Sequence, residues 1–128
     1  MMRRCASLIL FTLLATNALA FQPNGVYRGG WHSRTTGHKG PMRVRITPRA
    51  DGTYDARFFG RFALVIPFAM RTTMTAIATE DQQTTLIANK RLPIFGDYRM
   101  TARVTPCRVD AQYSADSDRG TFTMTRRR

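Results

Sequence analysis

The chain has 128 residues, 20 basic and 8 acidic side chains, a net charge of +12 and two cysteines. This length fits one domain with one modest core, and two cysteines exclude a disulfide-built scaffold. Only Lys39 and Lys90 are lysines among the basic residues. Arginine's planar fork suits carboxylate, phosphate and sulfate groups, so the charge implies attraction to acidic glycans, lipid headgroups or nucleic acid. The alternative is a solubilising surface written in arginine by base composition.

Residues 1–20 read as a secretory signal peptide: Arg3 and Arg4 open it, an apolar stretch follows, and Ala18-Leu19-Ala20 offers a small-residue cleavage site. The expectation is export to the periplasm or beyond, leaving residues 21–128 as one domain. Its charge would be +10, since Arg3 and Arg4 leave with the signal. Cys107 would then be the one remaining cysteine, read here as a small buried apolar residue.

From residue 25 onward, apolar and polar residues alternate with period two, broken at intervals by turn residues, and helix signals are almost absent. "GVYRGGWHSR" (25–34) is the first expected strand. "MRVRITP" (42–48) places Met42, Val44 and Ile46 opposite Arg43 and Arg45. "RADG" (49–52) contains Asp-Gly, a hairpin signal. "TYDARFFG" (53–60) sets Tyr54, Ala56 and Phe58 against Asp55 and Arg57. "AMRTTMTAIAT" (69–79) has Met70, Thr72, Met74, Ala76 and Ala78 on one face. "QTTLIANK" (83–90), "DYRMTARVT" (97–105), "CRVDAQYS" (107–114) and "TFTMTR" (121–126) complete the series. Eight short strands with one apolar face each predict an all-β, antiparallel, up-and-down barrel, whose closure removes exposed edges. A small β-sandwich is the alternative. Tyr27, Met42, Tyr54, Phe58, Met70, Met74, Tyr98, Met100, Tyr113 and Phe122 are the expected inward side chains.

The connections predict two unlike ends. "RADG", "EDQ" and the break at Pro106 are short, whereas "TTGHKGP", "RFALVIPF", "RLPIFG" and "ADSDRG" are longer and fall at one end. Pro67 and Pro93 cannot donate ladder bonds, so each marks a strand end, an edge or a kink. Phe62, Leu64, Ile66, Phe68, Leu92, Ile94 and Phe95 then form a candidate apolar rim. Arg61, Arg71, Lys90 and Arg91 flank it as candidate anion-binding residues. Such a rim would admit a small apolar ligand with an anionic head or dock on a lipid surface. The alternative is that these segments fold inward and cap the barrel.

The eight-strand pattern with a Gly-x-aromatic opening resembles the lipocalin and avidin-like barrels, the calycins. Gly25-Val26-Tyr27 and Gly29-Gly30-Trp31 match the Gly-x-Trp that plugs the closed end in lipocalins. Arg126 matches the last-strand arginine that packs over the plug, and Gly96-Asp97-Tyr98 partly matches a later-loop motif. In this strand map Trp31 lies toward the longer-loop end and Arg126 toward the other, which makes Tyr27 the better plug. The resemblance implies binding of a small apolar ligand inside the barrel, without a cofactor.

Nothing in the sequence recommends catalysis: the expectation is a binding protein, with a structural or protein-interaction domain of the cell envelope as the alternative and an enzyme as a remote one. No Ser-His-Asp order, HExxH, P-loop or dinucleotide fingerprint is present. His32 and His38 lack further metal ligands, and Asp116-Ser117-Asp118 has only the beginning of a calcium-loop pattern. Arg43, Arg45, Arg57, Arg99, Arg103 and Arg108 are expected on the outside. Nucleic-acid binding would need exposed aromatics between them, and only Phe59 is expected there. An anionic glycan or other polymer of the cell surface fits the same arginines better, and export argues the same way.

Overall fold

A computed structural model describes residues 21–62, 66–92 and 96–126, with Phe62, Ile66 and Leu92 described by their backbone alone. The proposed signal peptide, Leu64, Ile94 and Phe95 lie outside these residues. The alternation is realised strand by strand: in Gly96–Val104, Tyr98, Met100, Ala102 and Val104 are buried, while Asp97, Arg99, Thr101 and Arg103 are exposed. Successive Cβ atoms point to opposite faces, so one face of each strand supplies the core.

Eight strands follow in chain order: β1 (Gly25–Ser33), β2 (Lys39–Pro48), β3 (Tyr54–Phe62), β4 (Ile66–Glu80), β5 (Gln83–Leu92), β6 (Gly96–Val104), β7 (Arg108–Ser114) and β8 (Arg119–Arg126). Each pairs antiparallel with its neighbour in sequence, and β1 pairs with β8, closing the barrel. Its interior is filled by aromatic, methionine and aliphatic side chains, among them Tyr27, Trp31, Phe58, Met74, Leu86, Met100, Phe122 and Met124. Of the ten expected inward residues, Met70 is the one that is only partly buried.

Three expectations change. First, the unequal ends disappear, because strands extend into what read as connections. β3 continues to Phe62 and β4 begins at Ile66, with Arg61 opposite Pro67 and Phe62 opposite Ile66. β5 likewise reaches Leu92, and β6 begins at Gly96. Pro67 is tolerated because β4 changes partner along its length. Among the described residues its first half pairs with β3, from Ile66 to Met74, and its ladder with β5 begins only at Thr75. The first half is thus an edge toward β5, a position where a missing N–H costs little.

Second, Ala76 and Ala78 are both exposed, Ala76 although it stands opposite the inward Leu86, and Ala78 because it has left the inward register. The register shifts between them, and this bulge leaves Ile77 58% exposed. An extra residue in one strand inverts the facing beyond it, which alternation alone does not reveal. Third, Cys107 is not a buried, unpaired residue: it is half-buried in the turn between β6 and β7, and it is not a free thiol.

Candidate functional site

The outward register of β1–β4 brings arginine opposite arginine. Arg28 faces Arg43 across β1 and β2. One step along, Arg45 faces Arg57, and Arg57 faces Arg71, across β2, β3 and β4. All five are exposed. Like charges directly opposite on antiparallel strands are destabilising, by roughly 0.2–1 kcal/mol per pair. Asp55 relieves one pair: its carboxylate accepts from Arg71 Nε at 3.1 Å and lies 3.6 Å from Arg57 Nε. Arg43 lies over the Phe59 ring, 5.0 Å from its centroid, and Phe59 is 38% exposed. The result is a continuous cationic wall with one carboxylate and one aromatic face in it.

The residues expected to bind an anion at the rim are placed differently from one another. Arg71 belongs to this wall. Arg91 pairs with Asp97 at 2.9 Å, and Lys90 Nζ donates to the Arg71 carbonyl at 3.0 Å, on the stretch where β4 and β5 lack a ladder. Arg61 is exposed, and its carbonyl accepts the Trp31 indole N–H at 3.2 Å. Of the expected apolar rim, Phe62, Ile66 and Leu92 stand in strands. Phe68 is half-buried against the core and meets Trp31 edge-on, ring centroids 6.3 Å apart.

The two ends are closed by different devices. At one, Tyr27 is fully buried; its hydroxyl donates to the Thr105 carbonyl at 2.9 Å and accepts from Arg126 Nη1 at 3.3 Å. The Arg126 guanidinium lies 5.4 Å from the Tyr27 ring centroid and also donates to the Asn24 carbonyl at 3.0 Å. Pro23 is buried and Phe21 packs on the core, so the segment before β1 covers this end. Burial raises the Tyr27 pKa, against the opposing effect of Arg126. Trp31 lies four residues along β1, opposite Phe122, and does not meet Arg126.

At the Trp31 end, rings run in sequence across the interior. Tyr98 stacks on Tyr113 at 5.7 Å, Tyr113 on Phe122 at 5.1 Å, and Phe122 tilts against Phe58 at 5.6 Å. Asp118 closes this end: Ser33 Oγ donates to one of its oxygens at 2.5 Å and the Tyr113 hydroxyl to the other at 3.1 Å. Burial pushes the Tyr98 phenol far above its ordinary range, and the nearby Tyr113 and Asp118 add to this. Two glycines permit the arrangement. A Cβ at Gly40 would run into the Arg61 carbonyl beside the Trp31 indole, and one at Gly120 into the His32 carbonyl and the Tyr113 ring.

Among the described residues, no three His, Cys, Asp or Glu side chains come together at metal-ligand range. His32 and His38 are both exposed, and Asp118 serves as the acceptor just described rather than opening a calcium loop. Sequence reasoning placed Arg43, Arg45 and Arg57 outward but missed the wall they form. The signal that finds it is the pairing register, which needs both strands.

No protein-family model and no curated protein matches the chain. Solved structures do. A redesigned β-barrel, mFAP1, bound to DFHBI is 17% identical, with 80% of this chain and 94% of that one covered and a TM-score of 0.59. EF1p2_mFAP2b bound to DFHBI is 16% identical over 82% and 93% of the two chains, TM-score 0.58. A fluorescence-activating β-barrel designed de novo is 16% identical over 83% and 94%, TM-score 0.55. At such identities the likeness is one of fold: like these, the chain is a closed eight-stranded antiparallel barrel.

Proposed function

We propose that this chain is an exported, non-catalytic binding domain that holds an anionic polymer of the cell envelope against its β1–β4 wall. The observation carrying this reading is the register that sets Arg28 against Arg43 and Arg45 against Arg57, with no carboxylate directly opposite any of them. A surface that needed only solubility would gain stability from an acid or a threonine at any of these positions. An acidic glycan or teichoic-type polymer supplies the missing charge from outside, and arginine forks fit its carboxylates, sulfates or phosphates.

The test is retention on a sulfated polysaccharide column over a salt series. The chain is expected to elute at high salt, and the triple variant R43Q/R45Q/R57Q at clearly lower salt, because screening weakens exposed charge pairs. Elution of both with a neutral control would remove the reading.

A second reading is favoured by the similar barrels, two of which hold the small ligand DFHBI. In it, a small apolar ligand enters at the Trp31 end, beside Phe68 and the stacked Tyr98 and Tyr113. The filled interior weighs against deep binding. Native mass spectrometry of protein from its own host checks this: a retained small-molecule mass supports it, and a bare mass counts against it.

A further inference from the structure

We propose that the outer surface at the Trp31 end carries a discrete site for a single phosphate group, formed by Arg34, Arg99 and Arg119. These three line one depression of about 360 Å³ together with Thr101, Gln112 and Ser114. The backbone holds them in place. Arg99 faces Ser114 across β6 and β7, and Ser114 faces Arg119 across β7 and β8. Arg34, just past β1, donates its backbone N–H to the Arg119 carbonyl at 2.7 Å, and the Arg119 N–H donates to Thr35 Oγ1 at 3.1 Å.

Two of the acids nearby are engaged elsewhere: Asp118 accepts from Ser33 and Tyr113, and Asp97 pairs with Arg91, while the exposed Asp116 lies beside Gly96. Among the described residues none of the three arginines has an ion-pair partner, although the same outward row of β7 pairs Arg108 with Asp110 at its other end. Three guanidiniums around a depression edged by hydroxyl and amide groups match a compact, doubly charged, tetrahedral oxyanion better than an extended chain. The inference is separate from the β1–β4 wall and stands or falls without it.

Titration of the intact chain with inorganic phosphate at low ionic strength, followed by amide shifts of β6–β8, tests it. Saturable shifts centred on Arg99, Ser114 and Arg119 are expected, with affinity falling roughly tenfold or more in R99Q and in R119Q and partly kept in R119K. The wall variant R45Q/R57Q should titrate as the parent does. All of these side chains are exposed, and an unchanged melting temperature confirms that each variant is folded. Vesicles of phosphatidylcholine with and without phosphatidic acid separate the sources. Partition that needs phosphatidic acid and is lost in R119Q assigns a lipid headgroup; phosphate binding without partition assigns a soluble ester. No saturable shift, or equal weakening in R45Q/R57Q and R119Q, would overturn the site.

Discussion

The outer walls of β1–β4 and of β5–β8 are built from the same alphabet and treat their charges differently. On the second wall Arg103 faces Asp110 across one ladder and Thr85 across the other, Arg91 faces Asp97, and Arg99 stands between Asn89 and Ser114. Arg108 reaches Asp110 with two hydrogen bonds, 2.8 and 2.9 Å long, which hold that carboxyl below its usual range. On the first wall Arg28 meets Arg43 and Arg45 meets Arg57, and among the described residues Asp55 is the one acid in reach. A bias in base composition raises arginine content everywhere, but it does not choose what stands opposite. A carboxylate stands directly opposite Arg91 and Arg103 on the second wall and opposite none of Arg28, Arg43, Arg45, Arg57 and Arg71 on the first, and this contrast is what the proposed polyanion surface rests on.

The largest expected effect concerns the barrel that carries both walls. Tyr98 is 8% exposed, and burial raises its folded-state pKa above the ordinary value of 10.0. Above that pH the unfolded chain releases a proton that the barrel keeps, so stability is full below it and falls as pH rises. The slope is about 1.4 kcal/mol per pH unit for each such tyrosine. Urea midpoints from pH 9 upward should therefore fall, and less steeply in Tyr98→Phe. Arginine stays charged throughout this range, so polyanion retention should persist until the fold itself gives way, whereas a lysine wall would fade near pH 10.

Smaller effects should differ in sign between the walls. Arg45→Thr removes a like-charge pair and adds a good strand former, and should stabilise by a few tenths to about 1 kcal/mol. Arg103→Thr removes a charge facing Asp110 and should destabilise by a similar or smaller amount. A shift of the urea midpoint at constant slope reads both, and the same sign for both would dissolve the contrast. The smallest change is expected from Asp55→Asn, a loss of a few tenths of a kcal/mol at this exposed pair of bridges. It should nevertheless raise the salt needed for elution from a sulfated column, while Asp110→Asn changes retention less.

Period-two alternation by itself determined that this chain makes eight strands and which side chains face in, because a strand's two faces follow from its own backbone. Arg126 came from the calycin resemblance, and the strand map, which set it and Trp31 at opposite ends, is what made Tyr27 rather than Trp31 the residue for it to meet. What lay beyond the sequence involves two strands at once. Strand lengths at Phe62, Ile66 and Leu92 depend on a partner continuing alongside. The partner change in β4 that tolerates Pro67, and the bulge that turns Ala78 outward, depend on how the sheet bends to close. The candidate sites are of this second kind. That Arg43, Arg45, Arg57, Arg99 and Arg103 point outward follows from alternation. That some of them stand arginine against arginine, and that Arg34, Arg99 and Arg119 share a depression, was decided by hydrogen-bond register alone, since a slip of one pairing would have given each a different neighbour.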